Sequence, residues 1–164
     1  MITDDMYIEE SSFFSKLRIP VKVRKYNKQL GVKISNMEDL LKVGKNPGLE
    51  KYVQECNDIE ELEYLRKDTN NSFPTLEKIK ERIGICKSKG ECKQTAGYYK
   101  YIKKHYIDQG ITESQVAKTI SNFKRLCSEI SAKIRKLKSE KYKNESTFLE
   151  AAMDFSDNIM TKLF

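Results

Sequence analysis

The stretch that decides the fold is residues 113–143, which read ESQVAKTISNFKRLCSEISAKIRKLKSEKYK. Thr112 and Gln115 have the spacing of a capping box just before it, and no Gly or Pro follows up to about Asn144. Apolar residues recur within it at alternating steps of four and three, which is a heptad pattern on one helix face. We name these residues the seam: Val116, Ile120, Phe123, Cys127, Ile130, Ile134 and Leu137. The stretch therefore predicts one long helix.

The flanks of the seam favour packing inside a helical bundle over a two-stranded coiled coil. Ala117 and Leu126 lie beside the seam and widen the apolar stripe. Lys124, Lys133 and Lys138 fall at flanking positions, where lysines repel one another in a parallel homodimer. We therefore expect the seam to be buried within one chain, with pairing between chains as the alternative.

Short, punctuated helices are predicted before the long one. Ser35 and Glu38 form a second capping box, which opens a helix at Met37–Val43 that Gly44 ends. Further helices are predicted from the Asn46-Pro47 pair and from Asp58, followed by a loop at residues 69–72 and a new helix at Pro74.

The first 34 residues are predicted to lie outside the helical domain. Residues 17–26 alternate apolar and basic side chains, which is the period of a strand, and Pro20 confines such a strand to a sheet edge. We interpret residues 1–34 as an acidic start with a basic extended arm. Residues 35–164 form the helical domain, with a sub-boundary near residues 84–90, where Gly84 and Gly90 lie.

The C-terminal half is predicted to contain a helical hairpin. Its first arm is expected at about residues 91–108, with a turn at Gly110 into the long helix. A last helix is expected from Asn144 or Ser146, and its wide apolar surface must dock on its own core or on another chain. The predicted fold class is all-α: short helices, then a long antiparallel helical hairpin and a docked C-terminal helix.

Composition limits the function classes. No apolar run approaches the roughly 20 residues of a membrane span, and the N-terminus is acidic where a signal peptide is basic and apolar. We therefore expect no membrane contact and a cytosolic or virion-associated location. The four cysteines show no framework spacing, which favours reduced thiols.

No residue pattern indicates catalysis, a cofactor or a metal. Cys86, Cys92, His105 and Cys127 lack the close cysteine pair that zinc sites contain. The single histidine has no recognisable nucleophile or carboxylate partner, and no glycine arrangement matches a phosphate-binding loop. We therefore predict that the protein is not an enzyme and holds no cofactor.

The net charge of +7 is distributed in alternating blocks. Residues 16–34 and 112–143 are basic, whereas residues 35–63 are acidic. Such blocks can attract one another within or between subunits, or the basic ones can face a polyanion. Residues 98–106 also interleave tyrosines with lysines, as surfaces that bind single-stranded nucleic acid do, although an ordinary amphipathic helix explains the same pattern.

Three functions are consistent with these observations. The first is a non-enzymatic interaction or assembly protein that binds other protein subunits, such as a component of a phage or other virus particle. That viral interpretation depends on the lysine-rich composition, the small size and the absence of recognisable motifs. The second is a nucleic-acid-binding protein that contacts phosphates, and the third is a regulator or inhibitor of a host enzyme. The residues predicted to bind a protein partner or nucleic acid are Lys22, Arg24, Lys25, Lys100, Tyr101, Lys104, Lys124, Arg125, Arg135, Lys136, Lys138, Phe155, Ile159 and Phe164.

Overall fold

The structure, a computed structural model, describes residues 19–89 and 97–163, with the backbone alone at residues 88, 89, 98 and 154–163. These residues form helices joined by short turns, which confirms the predicted all-α class. The helices are α1 (Val21–Gln29), α2 (Met37–Val43), α3 (Pro47–Glu55), α4 (Ile59–Lys89), α5 (Gly97–Ile102), continued by a π-helical turn (Lys103–Ile107), and α6 (Glu113–Leu163).

The two longest helices, α4 and α6, pack against each other in antiparallel directions. Glu63, near the start of α4, forms an ion pair with Lys138 at 2.9 Å. Further along α4, the Asn70 side chain accepts a hydrogen bond from the Cys127 thiol. Residue numbers thus rise along one helix as they fall along the other. The predicted long antiparallel pair is present, but its first arm is α4. Of the predicted arm at residues 91–108, residues 97–107 form α5 and the π-helical turn, and residues 91–96 lie outside the described residues.

Five of the seven seam residues of α6 are buried within the chain, as predicted, and Cys127 and Leu137 are half-buried. Val116 and Ile130 have no exposed surface, and Leu126 beside the seam is also fully buried. From α4, the side chains that complete this core are Leu62, Leu76, Ile79 and Ile83, all fully buried. A buried leucine outside the strict heptad positions is typical of a helix in a bundle. The seam therefore packs against its own chain and is not available for a coiled coil with another chain.

The loop predicted at residues 69–72 is wrong, because α4 runs through it and through Pro74. The hydroxyl of Thr69 donates to the carbonyl of Leu65 at 2.8 Å, and the hydroxyl of Ser72 donates to the carbonyl of Asp68 at 2.9 Å. Hydroxyl bonds to the preceding turn allow these residues to be buried inside a helix. Packing against α6 therefore outweighs both the loop-forming composition and the backbone bond that Pro74 cannot donate.

The extended arm is also wrong for residues 21–29, which form helix α1. Val23 and Asn27 are buried and Tyr26 is half-buried, so the buried positions follow a helical spacing. The Asn27 amide donates to the carbonyl of Ile34 at 2.9 Å and accepts from the backbone N–H of Gly48 at 3.1 Å. These bonds tie α1 to the start of α3 and to the segment before α2.

Capping places the short helices close to their predicted positions. The Asn36 side chain accepts from the N–H of Asp39 at 2.8 Å, so Asn36 is the N-cap of α2, one residue later than the Ser35 of the predicted capping box. Gly44 ends α2 with φ of 79°, a conformation that favours glycine. Asn46 caps α3 by accepting from the N–H of Leu49 at 3.1 Å. At α6, Thr112 and Gln115 form the predicted reciprocal box.

The separate C-terminal helix is not observed, because α6 continues without a break from Glu113 to Leu163. Asn144 and Ser146 lie inside it. Their poor helix propensity is small beside the cooperative extension of a helix that is already formed. Phe148, Leu149 and Met153 are exposed, so this part of the helix does not dock on the core of its own chain.

Candidate interaction surface

The C-terminal part of α6 extends beyond the helix that covers the rest of it. Because Glu63 pairs with Lys138 and the helices are antiparallel, Ile59, the first residue of α4, is level with about residue 142. We name residues 142–163 the distal segment. At 1.5 Å per residue it is about 33 Å long. No part of α4 is available to cover it.

Large apolar side chains of the distal segment are exposed to solvent. Tyr142, Phe148, Leu149 and Met153 have between 60% and 73% of their surface exposed. Single exposed apolar residues are common on proteins, but four within twelve residues of one helix are a patch. Contiguous apolar patches mark surfaces that bind other molecules.

The distal segment repeats the face that α6 buries nearer its start. Phe148, Ala152 and Phe155 each lie eighteen residues, or about five helical turns, after Ile130, Ile134 and Leu137. They therefore share the direction of the seam. With Ile159 they form a set that we name the distal stripe: Phe148, Ala152, Phe155 and Ile159. Phe155 and Ile159 are placed here by backbone register, and Phe164 lies outside the described residues.

The acidic block at residues 50–63 forms ion pairs with basic residues of the same chain. Lys22 pairs with Glu61, and Lys138 pairs with Glu63. Arg125 bridges Glu50 of α3 and, at 2.7 Å, Glu129 of its own helix. The pKa of Arg125 is raised, chiefly by the hydrogen bond to Glu50. Lys22, Arg125 and Lys138 therefore connect helices of one chain.

Lys133, expected to disfavour a parallel dimer, caps another helix. Its ammonium donates to the carbonyl of Val53 at 2.8 Å and to that of Gln54. Both carbonyls belong to the last turn of α3, where the helix dipole attracts a cation.

The other predicted cations lie on the solvent side of the described structure. On α6, Lys124, Arg135 and Lys136 are exposed and form no ion pair with another described residue. The same holds for the predicted basic residues elsewhere in the described chain: Arg24, Lys25, Lys100 and Lys104. The structure thus separates the predicted basic set into residues that join helices and residues that face solvent.

Tyr101 lies at the junction between α5 and the π-helical turn. Its ring stacks on His105 with 4.0 Å between centroids, while the neighbouring Ile102 and Tyr106 are buried. One face of the Tyr101 ring is therefore covered by His105.

A polar cluster that the sequence pattern did not reveal joins α1, α3 and α4. The Tyr52 hydroxyl donates to Glu61 at 2.7 Å, and the Cys56 thiol lies 3.7 Å from the same carboxylate, beside a surface cavity of about 460 Å³. Burial raises the pKa of Tyr52 to about 12, so the phenol keeps its proton to a higher pH than an ordinary tyrosine does. Lys22 neutralises Glu61. The contacts that form this cluster join residues of three helices, so no spacing of residues within one helix predicts them.

The cysteines differ from the expectation of reduced thiols in one respect. Cys56 and Cys127 are free, but Cys86 is disulfide-bonded, with its partner outside the described residues. Irregular spacing argues against a disulfide framework, but it does not exclude one bond. Burial raises the pKa of the Cys127 thiol. Within residues 19–89 and 97–163, no group of three His, Cys, Asp or Glu side chains could hold a metal ion.

None of the described helices has a stretch long and apolar enough to cross a membrane. Comparison of the chain with protein-family models, with curated proteins and with solved structures finds no match.

Proposed function

We propose that this chain is a non-enzymatic assembly protein that binds other protein subunits through the distal segment of α6. The observation that supports this most directly is the exposure of Phe148, Leu149 and Met153 on a helix that continues past its own core. Burying such side chains is favourable by about 25 cal/mol per Å² of apolar surface. A partner surface that covers this patch gains this free energy.

The internal ion pairs support an apolar contact over a purely electrostatic one. The glutamates that could have attracted a neighbouring subunit, Glu61 and Glu63, already pair with Lys22 and Lys138. Exposed ion pairs contribute up to about 1 kcal/mol each. Contact with a partner is therefore assigned to the distal segment, and the charge blocks to the fold of the chain itself. We also propose that the partner subunits belong to a virus particle, and this part of the proposal is supported by the composition of the chain alone.

Site-specific photo-crosslinking in cells that express the protein tests the proposal. A benzophenone amino acid replaces Leu149 in one variant and Ser121 in the control, and both positions are exposed on α6. Because Ser121 lies beside the core-packed part of α6, we expect protein adducts from position 149 alone. Mass spectrometry of the adduct identifies the subunit.

A second variant links the adduct to the apolar patch. This variant carries the benzophenone amino acid at position 149, and Phe148→Ser and Met153→Ser remove the neighbouring apolar side chains. Circular dichroism verifies that its helical content is unchanged. We expect the adduct to be lost while the fold persists. Equal adduct yields at positions 149 and 121 would exclude the distal segment as a protein-binding surface.

A second candidate function is binding to nucleic-acid phosphates, which the exposed cations Lys124, Arg135 and Lys136 favour. Each neutralised phosphate releases a counterion, so log affinity should fall linearly with log salt concentration. Fluorescence anisotropy with a labelled duplex between 50 and 200 mM salt measures this slope. Charge reversal at these three residues should weaken every sequence by a similar factor, and unchanged affinity would exclude this surface.

A further inference from the structure

We infer that the partner of the distal segment is a second copy of the same chain, bound in antiparallel orientation. This inference depends on the proposed function, because it names the subunit that binds the distal segment, through the face of the helix that carries Phe148. It follows from a second heptad pattern in residues 145–162. Six positions recur there at steps of three and four: Glu145, Phe148, Ala152, Phe155, Ile159 and Lys162.

The charged residues at the two ends of this pattern distinguish the orientations. In a parallel pair, Glu145 faces Glu145 of the second copy and Lys162 faces Lys162, so both ends repel. In an antiparallel pair, Glu145 faces the partner's Lys162, and the two-fold symmetry forms this contact twice. Only the antiparallel orientation makes both ends attractive.

The apolar positions between the ends are complementary in the same register. When Glu145 is opposite Lys162, Phe148 is opposite Ile159 and Ala152 is opposite Phe155. Position 155, a phenylalanine, is then opposite position 152, the smallest residue of the stripe, whereas a parallel pair places the two phenylalanines of position 155 opposite each other. A surface that complements itself under a two-fold rotation is what an isologous dimer contact requires.

The antiparallel arrangement also keeps apart the two positively charged helical domains that precede the distal segments. In this register the two-fold axis passes between residues 153 and 154, about 17 Å along the helix from residue 142, where α4 ends its cover. The domains are then roughly 35 Å apart. That distance exceeds the screening length of about 8 Å at physiological salt, so their net positive charges do not oppose the contact.

Light scattering after size exclusion, over a concentration series of the full chain, tests the inference. We expect a mass of twice 19.2 kDa that falls to the monomer mass on dilution. Phe148→Ser with Phe155→Ser should abolish the dimer without loss of helical content. A dimer that persists in this variant forms elsewhere, and a monomer at every concentration would equally overturn the inference.

A charge swap decides the orientation. Glu145→Lys alone opposes the partner's Lys162 at both ends and should raise the dissociation constant on the order of tenfold. Adding Lys162→Glu should restore the parent value. Glu150→Lys is the matched control, because it makes the same charge change about 140° around the helix from Glu145, away from the stripe. We expect it to change the dissociation constant less than threefold. Failure of the double variant to recover overturns the antiparallel pairing.

Failure of this inference is distinguishable from failure of the proposed function. A monomeric chain whose position-149 adduct contains a different protein overturns the second copy and leaves the proposed function standing. A monomeric chain with no protein adduct at position 149 overturns both.

Discussion

The contact between Asn27 and Gly48 should be among the most sensitive points of the fold. An alanine Cβ at position 48 would lie 2.1 Å from the Asn27 Oδ1 and 2.9 Å from its backbone nitrogen. Rotating the asparagine side chain relieves the first overlap but not the second. Helix α1 must therefore shift away from α3, and the two hydrogen bonds that Asn27 makes to Ile34 and Gly48 are strained or lost.

The expected cost follows from these two effects. Two buried hydrogen bonds contribute about 1 kcal/mol each, and overpacking costs typically 1–3 kcal/mol. We expect Gly48→Ala to lower the free energy of unfolding by about 3–5 kcal/mol and the melting temperature by roughly 10 °C. Urea unfolding followed by circular dichroism measures the first quantity. Gln29→Ala, which removes an exposed amide from α1, the helix of Asn27, is the control and should remain within about 0.5 kcal/mol of the parent.

A double-mutant cycle assigns the cost to this contact. Asn27→Ala alone leaves a buried N–H at Gly48 and a buried carbonyl at Ile34 without the amide, at about 2–4 kcal/mol. It also removes the overlap of the new methyl group with the Asn27 amide, and the two hydrogen bonds that Gly48→Ala strains are then already absent. The double variant should therefore be clearly more stable than the sum of the single effects predicts. Strict additivity, or a Gly48→Ala protein as stable as the parent, would refute the proposed steric clash.

Three further predictions follow from the core, the polar cluster and the cysteines. Ile130→Asp buries an unpaired charge and should destabilise the fold by about 3–5 kcal/mol, whereas Lys136→Asp on the exposed face should change little; equal urea midpoints would contradict the buried seam. The Tyr52 phenol has a folded-state pKa of about 12 against its ordinary value of 10, so its contribution to stability is complete below pH 10 and is lost as pH rises from 10 to 12. Urea unfolding at several pH values should show a smaller loss in Tyr52→Phe over that interval, and the same loss in both proteins would contradict this assignment. Alkylation followed by peptide mapping should label Cys86 only after reduction, and labelling without reductant would exclude its disulfide.

Periodicity predicted the parts of the fold where it extends over many residues. The seven seam positions span more than twenty residues, and over that length a helix and a strand cannot be confused. Residues 17–26 are too short for the same certainty, because Ile19 and Val23, four residues apart, lie on one face of either a strand or a helix. Burial of Asn27 between Ile34 and Gly48, a contact between distant segments, decides for the helix.

Local breaker residues were the main source of error. Thr69, Ser72 and Pro74 favour a loop when they are judged by their own preferences. In the folded chain, Thr69 and Ser72 are buried, and their hydroxyls bond to the preceding turn of α4. Whether a polar pair ends a helix therefore depends on the partner helix, which a single sequence does not display.

The ion pairs show a similar limit on predicting the interaction surface. Charge blocks in the sequence identify which residues attract, but Lys22 and Lys138 could equally have met Glu61 and Glu63 of another subunit. The structure resolves this because α1 and the middle of α6 both lie beside the start of α4. Once these charges are paired within the chain, the chemistry left on the surface is the solvent-facing cations and the apolar distal segment.

The two halves of α6 present the same face to different surroundings. Ile130 is fully buried against its own chain, whereas Phe148, about five turns later in the same direction, has 72% of its surface exposed. The change occurs where α4 begins, since nothing else in the described chain lies beside the helix from there on. A helix of fifty-one residues costs conformational entropy along its whole length, yet only the first half gains burial within the chain. Packing of the distal stripe against a second copy would supply for the other half the kind of contact that α4 supplies for the seam.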